Sequence, residues 1–390
     1  MRRDAGQSVE GKMPRLKAVL ALADGSVYEG KGFGAPGRVS GELAFDTSMT
    51  GYEETLTDPS FTGHILLMTY PLIGNYGVSD PDKHPERFES DHIQPSGFVV
   101  REASTVTSHR DSAMTIHKYL EKNGVPGMEQ VDTRDITIRL RTQGAMNAAM
   151  QVGSGRINPD DLLREAMERP DLSDLDLIPL ASTKAPRYLR SPDAKQVASM
   201  QELQAGKRCV IVDCGMKRSI ARSVAQRGFD VVVLPYNSTP DQVASCEPKF
   251  IIVSNGPGNP ARAVQPQETI RRLAPDFPFM CICLGHQIAA LGLGAKTYKL
   301  KFGHRGGNHP VKDLQRNKVY ITTQNHGFAV DPDSLGGTGL RITMKNLNDG
   351  SVEGLDHQDY RIMATQFHPE ATPGPLDATF LFDEFINSLK

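Results

Sequence analysis

No apolar run in this 390-residue sequence approaches the roughly 20 residues that a membrane span requires. The N-terminal stretch "MRRDAGQSVEGKMPRLKAVL" carries charge but no apolar core of signal-peptide length. Residues 1–12 read as a disordered leader, with Met13 as an alternative start. Charge of one sign is not in excess: the formal net charge of -2 offers no pull toward nucleic acid or an anionic membrane surface. Five cysteines are an odd number without framework spacing, which fits reduced thiols in a cytoplasm and makes the "NST" at Asn237 a chance sequon. There is no internal repeat, no low-complexity tract and no Gly-x-x-x-x-Gly-Lys-Ser/Thr phosphate loop. Gly32-Phe33-Gly34-Ala35-Pro36-Gly37 meets the dinucleotide-binding spacing only formally. It contains a proline and opens into the strand-like "RVSGELAF", so the helix N-terminus that would hold phosphate is missing.

What is present changes texture near residue 200. Before it, "KAVLALADGSVYEGKGFG" reads as strand, Asp-Gly turn, strand, and "GELAFDTSM", "HILLMTYPLIG" and "SGFVVRE" add further β-type runs. "TIHKYLEKNG" and "TRDITIRLRTQG" carry helical patterns, the second opened by an Asp/Thr cap. This part predicts an α+β domain over 13–190. A polar, proline-bearing stretch follows, and within it 191–206 reads as a linker. Over 207–390 the rhythm is strand, helix, strand: "RCVIVDCG", "MKRSIARSVAQRG", "FDVVVLPYN", "PKFIIVSNGPGNP", "PQETIRRLAP", "FPFMCICLG", "HQIAALGLG". Strands that are apolar throughout and alternate with helices predict an α/β domain with a mostly parallel sheet covered on both faces. Sites in such sheets lie at the carboxyl ends of the strands, where "SNGPGNP", "CLGHQ" and "QFHPE" fall.

"PFMCICLGHQ" sets two thiols two residues apart. A sharp strand-to-helix turn displays one side chain above the sheet and needs a small residue two positions later. Cys283 has Gly285 there, whereas Cys281 lies inside the apolar run and reads as core. A helix starting near Leu284 would aim free N–H groups at the Cys283 sulfur and favour the thiolate, the reactive form. Two buried core thiols are the bland alternative, and a Cys-x-Cys metal half-site finds no second paired motif among the other three cysteines. A nucleophile needs a base and the base an orienter. Among eleven histidines, His368 has Glu370 two residues on, on the same side of a strand, with Pro369 suited to the strand end. The loop Ser254–Pro260 can turn backbone N–H groups inward, so the N–H groups of Gly258 and Leu284 are natural oxyanion donors. "QNHGF" at 324–328 offers amides and a ring to a polar amino acid; His326 lacks a nearby carboxylate in sequence and reads as structural.

"SNGPG", "CLGHQ" and "QFHPE", in this order, resemble the motifs of class I (triad) glutamine amidotransferases. "GELAFDTSMTGYEETLTDPSFTGHILLMTYPLIGNYGV", "KFGHRGGNHPV", "QNHGFAV" and "HPEATPGP" are similar to the small-subunit family of carbamoyl-phosphate synthases, over nearly everything after Met13. The resemblance implies a glutamine-hydrolysing subunit with Cys283 as nucleophile, His368 as acid/base and Glu370 as its orienter. It implies an L-glutamine site completed by Ser48, Gly256, Gly258, Leu284, Gln287, Asn325, Gly327 and Phe328, with no metal and no cofactor in this chain. ATP, a divalent metal and bicarbonate would belong to a large-subunit partner that receives ammonia by a sealed route and feeds arginine and pyrimidine synthesis. Two departures stand out: Cys281 where the family usually has glycine, and Cys214 where related subunits often have an aromatic. Amidotransferases serving GMP or anthranilate synthesis are the nearest enzymatic alternatives but lack the N-terminal domain. A catalytically silent regulatory subunit of the same fold is the alternative of a different class.

Overall fold

The computed structural model describes residues 16–389, so the expected leader 1–12 and Met13 lie outside them. The first half closes into a barrel, ordered Lys17–Leu22, Met146–Gly153, Gly37–Asp46, His64–Met68, Gly97–Val99, Pro126–Glu129 and Val27–Gly34. The Asp-Gly turn joins the first two strands in sequence, with Gly25 at a φ of 93° that a side chain would resist. Helix Thr133–Gln143 starts where Asp132 accepts the N–H groups of Arg134 and Asp135. Helix Pro159–Glu168 lies on the barrel strands Lys17–Leu22 and Met146–Gly153.

The second half is one eleven-stranded sheet. Its centre is parallel: Asp230–Pro235, Arg208–Asp213, Phe250–Val253, Phe279–Ile282 and Ile362–Thr365, side by side in that order. Alternate residues serve two cores. Val210 and Val212 enter one cluster with Leu284 and Ile288, and Cys209 and Ile211 enter the other with Ile220 and Phe385. Burial on both faces explains why these strands read as unbroken apolar runs.

The sheet departs from the sequence reading in two places. Part of the stretch expected as linker, Lys195–Val197, is folded into it, paired with Arg187–Arg190 from the end of the expected N-terminal domain, which on its other side pairs with Asp230–Pro235. Its polar character is that of an edge hairpin with one exposed side. The parallel core is also extended by antiparallel strands Val352–His357, Leu340–Asn346, Thr297–Asp313 and Lys318–Val330. The last two form a long hairpin with register shifts between Lys299 and His304 and between Gly306 and His309. It reaches the barrel, where the N–H of Thr47 donates to the Arg305 carbonyl at 3.3 Å and that of Ala145 to the Lys301 carbonyl at 2.8 Å. Barrel and sheet thus meet over the carboxyl ends of the parallel strands.

Candidate active site

Strand Phe279–Ile282 passes straight into helix Leu284–Gly292, and Cys283 between them sits at φ 55°, ψ −103°. That backbone is strained for a residue with a Cβ, and it is the turn that lifts a side chain off a sheet. Gly285 makes it feasible, because a Cβ there would lie 2.1 Å from the Val253 carbonyl oxygen. Cys281 is fully buried in the core with Cys214 and Leu284, and burial pushes its thiol up to about 12. The two sulfurs are therefore placed as their spacing predicts: one in hydrocarbon, one in the wall of a cleft.

The neighbouring strand Ile362–Thr365 leads to the candidate base, His368. Thr365 pairs with Ile282, and its carbonyl accepts the Cys283 N–H at 2.8 Å. Three residues on, His368 Nδ1 lies 2.6 Å from Glu370 Oε1. Among the described residues His368 Nε2 has no hydrogen-bond partner, and Cys283 is the thiol close enough to act on the ring's charge. Burial works against a charged imidazole here, but Glu370 foremost and Cys283 outweigh it and raise His368 to about 10.

Sequence reasoning missed the group behind this pair. Lys217, 1% exposed, places Nζ 2.9 Å from Glu370 Oε1 and also donates to the Thr372 carbonyl. Burial alone would raise the Glu370 carboxyl; Lys217 and then His368 reverse that and hold it well below the usual carboxylate range. Lys217 follows the carboxyl end of strand Arg208–Asp213, just before helix Arg218–Gln226. That position was the available signal, hidden by an amphipathic pattern that explains the helix without it.

The cleft in front of the sulfur is lined by Gly256, Gly258, Leu284, Gln287, Asn325, Gly327 and Phe328. Gly258 takes φ 88°, and a Cβ on Gly256 would meet the Cys214 carbonyl oxygen at 2.1 Å. Gln287 spends its Nε2 hydrogens on the Phe328 carbonyl at 2.7 Å and Gln366 Oε1 at 3.0 Å, so what remains for a ligand is its Oε1 acceptor.

Ser48 is not in this cleft. Its N–H is tied to Asp46 Oδ1 at 2.6 Å, and it lines a separate depression with Met49, Gly307 and Pro373. Two serines line the cleft, Ser173 and, after helix Tyr52–Thr57, Ser60. Asp58 Oδ1 accepts the Ser60 N–H at 2.9 Å, and Asn255 Nδ2 donates to Ser60 Oγ at 3.0 Å. Asp58 Oδ2 also accepts from Asn325 Nδ2 at 2.8 Å, binding the barrel loop to the far wall. Glu42, Lys299 and Arg305 also line the cleft and were not anticipated; Lys299 Nζ bridges Glu42 at 3.0 Å and Asp171 at 2.8 Å.

Residues 20–150 match the family described as carbamoyl-phosphate synthase small chain, CPSase domain, and residues 210–388 match glutamine amidotransferase class-I. The chain is 48% identical to the carbamoyl phosphate synthase small chain of Methanosarcina mazei, over 94% of this chain and 97% of that one. It is 46% identical to that of Methanopyrus kandleri, over 95% and 98%, and 46% identical to that of Archaeoglobus fulgidus, over 96% and 99%. The chain belongs to the carbamoyl-phosphate synthase small-chain family. Membership carries the enzyme class, a small subunit of glutamine-hydrolysing carbamoyl-phosphate synthase. The elbow, the His–Glu pair and the glycine-rich cleft are how this small chain arranges its amidotransferase domain.

One further cluster in the small chain brings ligand-type atoms together: His304, His326 and Glu353 lie within 4.8 Å of one another. Both Glu353 oxygens already accept amide N–H groups, and both His326 ring nitrogens are engaged, so the group is a hydrogen-bonded network rather than an open coordination sphere.

Proposed function

We propose that this subunit hydrolyses L-glutamine at Cys283 through a covalent thioester and passes the ammonia to a large synthetase subunit. Cys283 Sγ gives its proton to His368 Nε2 and attacks the side-chain amide carbon as a thiolate, and negative charge gathers on the amide oxygen. The N–H groups of Gly258 and Leu284, at a glycine turn and at a helix start, are the donors for that oxyanion. His368 Nε2 gives its proton to the departing nitrogen, ammonia leaves, and a glutamyl thioester remains. Water then attacks the thioester, His368 takes a proton from it, and glutamate is released. Glu370 holds the ring by Nδ1 so that Nε2 faces the sulfur, and Lys217 keeps Glu370 ionised while it does so. Ser60, Asn325, Gly327 and Phe328 bind the amino-acid end of the substrate, and Gln287 contributes its carbonyl oxygen.

The observation that carries this reading is the strained Cys283 elbow facing a histidine oriented by a buried, cation-paired carboxylate. The partner supplies what this chain has no motif for: ATP and divalent-metal sites and the bicarbonate chemistry that makes carbamoyl phosphate for arginine and pyrimidine synthesis. A sealed ammonia route suits the chemistry, because ammonia released to water near neutral pH is mostly protonated and lost as a nucleophile. We place the complex in the cytoplasm, in keeping with five unpaired, buried cysteines.

The test is Cys283→Ser in the reconstituted complex. Glutamine-dependent carbamoyl phosphate synthesis is lost and synthesis from added ammonia persists. Loss of both would assign Cys283 a structural role; retention of both would exclude Cys283 as the nucleophile, and an unsubstituted complex that uses ammonia but not glutamine would make the subunit the silent, regulatory alternative.

A further inference from the structure

From the wall that carries Asn325–Phe328, where His326 itself lines the cleft, runs a second buried histidine–carboxylate chain that the mechanism does not use. His326 Nδ1 is 2.7 Å from the Phe328 carbonyl oxygen, the same oxygen that receives Gln287 Nε2 at 2.7 Å. A carbonyl only accepts, so Nδ1 carries a hydrogen. On the other side His326 Nε2 is 2.8 Å from Gln324 Oε1, Gln324 Nε2 is 2.9 Å from Glu353 Oε2, and Asn346 Nδ2 is 2.8 Å from Glu353 Oε1. His326, Gln324 and Glu353 are 5%, 1% and 0% exposed, so water does not complete these bonds.

The hydrogens can be counted. With Gln324 oriented as above, its Oε1 needs a hydrogen from His326 Nε2, which makes the ring a cation beside an ionised Glu353. With the amide turned over, its NH₂ donates to a neutral His326 and its oxygen needs the proton of a neutral Glu353. In both cases the chain holds one proton more than a neutral imidazole and a carboxylate would bring. The surroundings favour the uncharged form. Burial and then His304 push His326 well below its ordinary value, with His309 and Arg305 acting in the same direction. Burial raises Glu353 to about 7, against the amides of Gln324 and Asn346 and the charge of His304, while Asp349 adds to the rise. Among the described residues no lysine joins this chain as Lys217 joins Glu370.

We propose that Gln324 and Glu353 are positioning residues for glutamine binding: they share one buried proton with His326, and so hold the ring against the Phe328 carbonyl and, through it, Gln287 in the cleft wall. The proposal rests on the cleft being the glutamine site. The consequence falls on KM, because the network touches the wall that binds and not the sulfur that reacts. Below about pH 7 Glu353 keeps its proton; as pH rises through that value it ionises, two acceptors face each other, and the wall loosens.

The test uses the complex with its large subunit and follows glutamine KM and kcat from pH 6 to 9. Glu353→Ala raises KM about tenfold, the effect of one lost buried hydrogen bond, with kcat changed far less and ammonia-dependent synthesis retained. Glu353→Gln presents an N–H where the neutral acid presents an O–H, so it restores KM and removes the rise in KM that the unsubstituted complex shows above about pH 7. That second profile decides even where the alanine variant fails to assemble. An unchanged KM in Glu353→Ala, an alkaline KM rise that persists in Glu353→Gln, or a stoichiometric metal lost on Glu353→Ala would each overturn the proposal. A complex with no glutamine-dependent activity at all would instead sink the functional reading.

Discussion

Two histidine–carboxylate pairs stand behind one cleft, and they are built differently. His368–Glu370 is two residues long in sequence and has Lys217 pressed against the carboxylate at 2.9 Å. His326–Gln324–Glu353 is assembled from two distant strands and has amides where the first has a cation. Both are buried, yet Glu370 is driven below the ordinary carboxylate range and Glu353 above it. Burial alone cannot decide the protonation of a carboxyl; the nearest counter-charge does. The pair proposed to handle protons in the reaction carries a lysine, and the pair proposed to hold shape does not.

The largest expected effect comes from breaking the charged pair at its ring. His368→Asn removes the acid/base and lowers kcat for glutamine hydrolysis by about 10²–10⁴-fold, measured as glutamate release, with ammonia-dependent synthesis retained. Next is Lys217→Met, which leaves the buried Glu370 carboxylate with His368 as its one charged partner among the described residues and costs up to about 3–5 kcal/mol in urea unfolding at neutral pH. The sign with pH follows from the direction at Glu370. Its depressed value contributes stability that is present above the unfolded carboxylate range and lost as pH falls through the folded value. The gap between Lys217→Met and the unsubstituted chain is therefore widest at neutral pH and narrows in acid; a gap that widens in acid would contradict the pairing. Gly285→Ala drives a Cβ to 2.1 Å from the Val253 carbonyl oxygen, so the elbow must shift and glutaminase activity falls while the N-terminal barrel stays folded. The smallest effect is at Cys281→Gly, which stays active because that thiol packs in the core and takes no part in the chemistry.

The residues legible in the sequence were those whose partners are close in it. Cys283 with Gly285, and His368 with Glu370, are local patterns, and a strand period or a turn rule is enough to aim them. The parallel strands were legible because burial on both faces leaves no polar alternation. What escaped depends on long-range closure. His326 read as lacking a carboxylate because Glu353 comes from a strand that only the antiparallel extension brings alongside. Ser48 was named because it lies in the most recognisable loop; Ser60, which the sequence reading did not name, reaches the cleft after the Tyr52–Thr57 helix and the Asp58-capped turn. The 191–206 stretch read as linker because an edge hairpin shows the same polarity as a loop.

Trapping the acyl-enzyme tests the central claim most directly. Acid quenching of the complex during turnover of glutamine labelled in its carbon chain should leave label on this subunit, absent in Cys283→Ser and retained in Cys281→Gly. Label that survives in Cys283→Ser and vanishes in Cys281→Gly would contradict the account, because the sulfur buried in hydrocarbon would then be the one that reacts.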